Sequence, residues 1–335
     1  MLQIITGGSG SGKSAYAEEC IVRYHRDGGE KESALYYIAT MEPFGEETLR
    51  KIERHRKMRS DKGFRTIECY RNLSEAAEQI ARESERADVL LECMSNLTAN
   101  ELYSIGEEEP VVDSILEGIR KLRQVCDHVV IVTNEVCLEC TDDSKEMQLY
   151  KKVLSRIGRE MAQMADRVTE VEYGIAIERK IASEPERKSE VKSGMRVVIG
   201  GGFQGKKKWA QEQYGVTQWA DGRDCPFEEI YQCEGIHHFH EYIRRAMMQE
   251  ENDSNHGKTL TDVRVLPEAL SQKNPDIVIV TDEIGCGLVP VDAFMRKYRE
   301  ETGRICTELA SRANEVVRVV LGIGTVIKSA EATNR

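Results

Sequence analysis

Residues 7–14 read Gly7-Gly8-Ser9-Gly10-Ser11-Gly12-Lys13-Ser14, the pattern GxxxxGK[ST]. An apolar run of strand length, residues 3–6, leads into it, and an amphipathic stretch, residues 14–24, follows. Strand, glycine loop and helix in that order commit this part of the chain to an α/β fold. In it, backbone N–H groups at a helix N-terminus close around phosphate oxygens. Gly7, Gly8, Ser9, Gly10, Ser11 and Gly12 form the cradle. Lys13 reaches the β- and γ-phosphates, and the Ser14 hydroxyl ligates Mg2+. The loop predicts a nucleoside triphosphate bound with Mg2+ and leaves ATP or GTP open.

Beyond the loop, apolar runs at 34–39, 87–92, 128–133 and 167–172 alternate with helical patterns at 47–59, 111–125 and 150–165. Such strands, separated by amphipathic helices, predict a P-loop NTPase-like, mainly parallel sheet with helices on both faces. The pattern then recurs. After a polar stretch with Pro and Gly, residues 181–194, Gly200, Gly201, Gly205 and Lys206 fall on Gly7, Gly8, Gly12 and Lys13. DIVIVTDEI at 276–284 falls on HVVIVTNEV at 128–136, and Gly303-Arg304 on Gly158-Arg159. Matching loops and strands in one order predict the fold twice: a P-loop domain over 1–180, a linker over 181–194, and a shorter, degenerate repeat over 195–330. Much of the shortfall falls opposite residues 36–70. Lys207 stands where Ser14 stands in the first loop, and an ammonium cannot ligate Mg2+. Phe203 sits inside the second loop. Mg-nucleotide chemistry is expected in the first copy, while a bare anion remains compatible with the second.

Glu92 ends a buried strand, where an acidic partner of Mg2+ or of its water sits in P-loop enzymes; a capping carboxylate would occupy the same place. Glu135 ends the next strand, at the edge of the ligand crevice. Cys137 and Cys140 form one CxxC pair, which without a second pair is a weak metal or redox signal. Cys225, Cys233, His237, His238 and His240 cluster in sequence, but their spacing fits no closed four-ligand pattern, and the stretch from 236 onward reads as an amphipathic helix.

Charge excludes some partners. With 47 Lys+Arg against 58 Asp+Glu the chain carries −11, a poor field for nucleic acid or an anionic membrane. No apolar run approaches the roughly 20 residues of a membrane span, and the first residues lack the basic and apolar regions of a signal peptide. The 10 cysteines are too few for a disulfide scaffold. A cytoplasmic protein is expected.

Several segments of the first copy go beyond a generic P-loop: Tyr36-Tyr37-Ile38-Ala39-Thr40, residues 50–59 (RKIERHRKMR), Arg65-Thr66-Ile67-Glu68-Cys69, Leu90-Leu91-Glu92-Cys93 and Val132-Thr133-Asn134-Glu135-Val136. In this order, with the N-terminal loop, they resemble the adenosylcobinamide kinase / adenosylcobinamide-phosphate guanylyltransferase family of cobalamin assembly. The match covers nearly all of residues 1–180. Residues 278–290 and 296–328 resemble the closing strand–helix–strand of the same family. The resemblance implies two reactions: phosphorylation of the aminopropanol hydroxyl of adenosylcobinamide, then GMP transfer from GTP to that phosphate through a guanylylated histidine, here His55. Beside His55, Arg54, Arg56 and Arg59 are placed to stabilise phosphate charge. From the residues alone, His55 reads first as a polar residue on a charged helix face; the nucleophile role comes from the resemblance.

The implied set is catalytic His55, Lys13 and Glu92; nucleotide-binding residues 7–14 with Arg59 and Glu135; and Mg2+ on Ser14 and Glu92. A corrinoid substrate and a homo-oligomer are implied with it. One departure stands out: the glycine turn that the family places after the Asn-Glu pair is kept at 285–290 but replaced at 137–142. The second copy therefore reads either as completing a shared site or as a scaffold. Two rival functions stay open, a kinase without guanylyl transfer and a nucleotide-responsive regulator.

Overall fold

Two sheets organise the chain, one in each of two units. The structure is a computed structural model that describes residues 1–27, 33–43, 53, 62–135, 144–181, 193–254, 263–285 and 292–329.

In the first unit the chain runs β1 (Leu2–Thr6), α1 (Lys13–Asp27), β2 (Ala34–Ala39), β3 (Arg65–Glu68), α2 (Leu73–Glu83), β4 (Ala87–Leu91), α3 (Met94–Ile105), α4 (Glu108–Val125), β5 (His128–Val132), α5 (Lys145–Met164), β6 (Arg167–Glu172) and β7 (Ile175–Ile181). The seven-stranded sheet has the order β3-β2-β4-β5-β1-β6-β7. All its pairs are parallel except β6–β7. Every residue of β1 and β4 is buried, as strands covered on both faces require. Ile5, Leu90, Val130 and Val132 pack with Ala17, Cys20 and Ile21 of α1 on one face.

The second unit runs β8 (Arg196–Ile199), α6 (Lys206–Tyr214), β9 (Trp219–Asp221), β10 (Gly235–His237), α7 (Phe239–Ser254), α8 (Leu266–Lys273), β11 (Val278–Val280), α9 (Ala293–Arg312), β12 (Glu315–Val320) and β13 (Ile323–Ser329). Its six-stranded sheet has the order β13-β12-β8-β11-β10-β9, parallel except for β12–β13. Read from the hairpin inward, this is the first sheet again, without a counterpart of β3 among the described residues. β9 takes the place of β2, so that strand survives in the region the sequence reading had counted as lost. Small devices recur as well. Ser144 caps α5 by accepting from the Met147 N–H, and Asp292 caps α9 by accepting from the Met295 N–H.

The α/β fold is thus present twice. Four elements of the first unit depart from the sequence reading: β7 pairs antiparallel with β6, β3 is a strand that it did not mark, and α2 and α3 are helices that it did not mark. Among the described residues, the cysteines are free, and no helix is long and apolar enough to cross a membrane.

Candidate functional site

The carboxyl ends of β1, β2, β4 and β5 lie at one edge of the first sheet, where the order reverses around β1. The loop after β1 turns back on itself through a bond from Ser11 N–H to Gly8 O, 3.2 Å. Gly7 has no room for a side chain, since a Cβ there would stand 2.4 Å from Val171 O and 2.8 Å from Ser11 Oγ. Lys13 opens α1 and donates to Gly8 O at 2.8 Å. Burial pulls its ammonium below the ordinary value, and nearby Cys93 opposes that pull. The Ser11 hydroxyl is buried without a hydrogen-bond partner, as a donor awaiting a phosphate oxygen would be.

Glu92 and Glu135 lie just beyond β4 and β5. The buried Glu92 carboxylate accepts from Thr40 N–H at 3.2 Å. Glu135 N–H donates to Gly7 O at 3.1 Å, which ties the end of β5 to the loop. Thr40 Oγ1 donates to Cys93 O at 2.9 Å. Asn134 N–H donates to Ser95 Oγ at 3.1 Å, and its side-chain amide lies 3.7 Å from Cys93 Sγ. Thr40, Cys93 and Asn134 therefore line the same edge as the residues chosen from sequence. Their signals were their position after buried strands and their place in the segments that carry the family resemblance. Tyr173 also escaped notice. It is 98% exposed at the tip of the β6–β7 hairpin, and its neighbour Gly174 donates to Ser11 O at 2.7 Å.

Ser14 offers a hydroxyl in the first turn of α1, and Glu92 a carboxylate at the strand ends. These hard oxygen donors are the type that Mg2+ takes, so the residues fit that ion. His55, Arg54, Arg56 and Arg59 lie outside the described residues, as do Cys137, Cys140 and residues 286–290 of the glycine turn.

The second unit repeats the loop with different contents. Glu283 N–H donates to Gly200 O at 3.1 Å, as Glu135 does to Gly7. A Cβ on Gly200 would stand 2.4 Å from Val319 O. Lys206 donates to Gly201 O, but its ammonium also lies 2.7 Å from Asp282 Oδ1, and Asp282 takes the place of Asn134. Burial raises the Asp282 carboxyl, yet Lys206 and His240 hold it below its ordinary value. Gln204 is buried, and it accepts from Leu321 N–H through Oε1 at 2.6 Å and from Gly322 N–H through its backbone oxygen at 3.0 Å. The row Leu91–Ile131–Ile4 of the first sheet corresponds to Ile236–Ile279–Val197 of the second. One residue further on, His237 stands at the place of Glu92, and His238 at that of Cys93.

The sequence profile of the family described as cobinamide kinase / cobinamide phosphate guanyltransferase matches residues 3–179 and 237–327, most of the chain and parts of both units. The chain belongs to this family. Two bacterial proteins named bifunctional adenosylcobalamin biosynthesis protein CobU are similar to it. The Escherichia coli K12 protein is 30% identical over 192 residues, covering 54% of this chain and all of the relative. The Salmonella typhimurium LT2 protein is 29% identical with the same coverage. Among solved structures, a KaiC-like protein from Pyrococcus horikoshii OT3 covers 56% of this chain and 82% of its own at 13% identity, with a TM-score of 0.33. The family's two reactions make the chain a transferase acting on nucleotides and a corrinoid.

Proposed function

We propose that the first unit carries out both steps, phosphorylating the aminopropanol hydroxyl of adenosylcobinamide and then transferring GMP from GTP to the new phosphate. The observation that carries this reading is the first loop. Its lysine is parked on its own backbone at Gly8, its Ser11 hydroxyl is unpartnered, and the Glu92 carboxylate ends the β4 strand beside it.

In the kinase step, Gly7–Gly12 N–H groups and Lys13 hold the β- and γ-phosphates, with Lys13 leaving Gly8 O for a phosphate oxygen. Ser14 and Glu92 would hold Mg2+, which would neutralise charge on the phosphate oxygens. The substrate hydroxyl attacks the γ-phosphorus, the bond to the bridging oxygen breaks, and the nucleoside diphosphate leaves. In the transfer step, the neutral His55 imidazole attacks the α-phosphorus of GTP and pyrophosphate leaves. An oxygen of the corrinoid phosphate then breaks the P–N bond and takes the GMP. Arg59 balances phosphate charge, and Glu135 fixes the loop at Gly7. ATP or GTP serves as phosphoryl donor. A cytoplasmic, homo-oligomeric enzyme belongs to the same reading.

Incubation with α-labelled GTP tests it. The expected result is an acid-labile protein–GMP adduct that His55→Ala abolishes while the kinase step persists. A kinase step without any adduct would leave the kinase-only reading, and loss of both steps in correctly folded His55→Ala would make His55 a binding residue.

A further inference from the structure

We propose that Asp221, His237 and His238 form a binding site in the second unit for a borderline divalent transition metal of the zinc or cobalt kind. One ligand atom from each of the three lies within 4.8 Å of the other two. His238 Nδ1 is 3.1 Å from Asp221 Oδ1, and His237 Nε2 is 3.8 Å from Asp221 Oδ2. The two imidazoles meet at 2.7 Å between their Nδ1 atoms, so two ring nitrogens and a carboxylate converge, and an arriving cation takes the place of the proton shared between the rings.

The backbone is shaped for this convergence. His238 is held at φ 53, a left-handed conformation that non-glycine residues adopt at a cost. Gly222, which follows Asp221, has no room for a side chain. A Cβ there would stand 2.2 Å from His238 O and 3.1 Å from His237 O. Glycine thus lets the end of β9 close on the two-histidine segment.

Place and chemistry agree. All three residues stand at the carboxyl edge of the second sheet, with Asp221 paired to His237 across β9 and β10. The first unit has Ala39, Glu92 and Cys93 at these places, so the set has no counterpart there. Two imidazoles and one carboxylate select zinc-like ions over Mg2+ or Ca2+, which take oxygen. Three protein ligands also leave a fourth tetrahedral position for water or an anion. His240 is not part of the set, because its Nδ1 accepts from Asp282 N–H at 3.2 Å.

One residue competes. Arg223 donates to Asp221 through Nη2 at 2.6 Å and through Nε at 3.0 and 3.1 Å. Its side chain is 60% exposed, so an arriving cation displaces it into solvent.

Untagged full-length protein, stripped with a chelator, is titrated with Co2+ and then with Zn2+. The expected result is uptake of one equivalent with the ligand-field spectrum of mixed nitrogen and oxygen ligands, displaced by Zn2+ and indifferent to Mg2+. Asp221→Asn and His238→Asn each weaken uptake by about 100-fold or more. The second variant keeps a residue that tolerates the left-handed backbone, and thermal unfolding checks that both fold. Arg223→Ala tightens uptake about tenfold, a gain of ~1.4 kcal/mol, which a purely structural cluster would not show. Absence of stoichiometric uptake, or uptake unchanged in both Asp221→Asn and His238→Asn, overturns the proposal. Nucleotide chemistry in the first unit plays no part in the readout, so this result stands apart from the proposed function.

Discussion

Lys13 and Lys206 open equivalent helices after equivalent loops, and each donates to the carbonyl of the second glycine of its loop. They differ in what else they meet. Lys206 meets Asp282, 2.7 Å away, at a position where the first unit has the neutral Asn134. A neutral amide leaves the first lysine available to a phosphate. A carboxylate pairs with the second one, and Gln204 ties the loop to the β12–β13 hairpin. Under the proposed function, the same backbone serves as a ligand cradle in one unit and as a structural element in the other. The difference lies in a few side chains, while the strand order is unchanged.

The largest effect follows from removing each lysine. Lys13→Ala is expected to cut triphosphate binding and turnover by about 10²–10³-fold, the scale of losing one charge-stabilising donor, with little change in stability. Lys206→Ala is expected to leave turnover unchanged. Instead it destabilises the second unit by about 2 kcal/mol, below the 3–5 kcal/mol of a fully buried pair because Asp282 retains some exposure. Nucleotide titration and thermal unfolding of both variants read this crossed pattern. Equal loss of binding from both would show that the second loop takes triphosphate too.

The β6 and β12 strands sharpen the contrast in stability alone. Glu170 has a side chain 0% exposed and is paired with Arg179, whose Nε lies 2.7 Å away. In the second sheet the corresponding residue is Arg318, 3.3 Å from the partly exposed Glu283. Arg179→Ala takes the guanidinium from a buried carboxylate and is expected to cost about 3 kcal/mol. Arg318→Ala should cost about 1 kcal/mol, since water reaches Glu283. Denaturant midpoints decide the order, and a reversed order would mean that β6 tolerates the loss of Arg179 through other contacts of Glu170.

Strand-forming residues were legible in the sequence because both faces of each sheet are covered, which makes β4 and β5 continuous apolar runs. β7 was not, because IAIERKI lies at a half-exposed edge. α3 hid for the opposite reason: it buries Ser95, Thr98 and Glu101, so its inward face does not read as apolar. At the candidate site, Lys13, Glu92 and Glu135 were found from motif and strand ends. The grouping of Cys225 and Cys233 with three histidines did not survive folding. Both cysteines pack in the hydrophobic core, while Asp221 joins His237 and His238 through the pairing of β9 with β10. His237 belongs to that strand, and α7 begins only at Phe239. Partners supplied by a neighbouring strand leave no trace in local spacing.

The smallest expected effect is the most searching for the comparison itself. Lys207→Ser restores the hydroxyl that the second loop lacks, so a reading based on the motif alone expects Mg-triphosphate binding to return. The geometry expects no gain, because Lys206 stays in its ion pair with Asp282 and Gln204 stays bonded to Leu321 and Gly322. Adding Asp282→Asn releases the lysine and supplies the amide found at Asn134. Gln204→Ser then removes the side-chain clasp and places at 204 the residue that Ser11 is in the first loop. Fluorescent triphosphate binding, measured on a background in which Lys13→Ala silences the first unit, follows the series. Binding is expected only once the ion pair is broken. Recovery with Lys207→Ser alone would show that one missing hydroxyl, and not a closed loop, separates the two units.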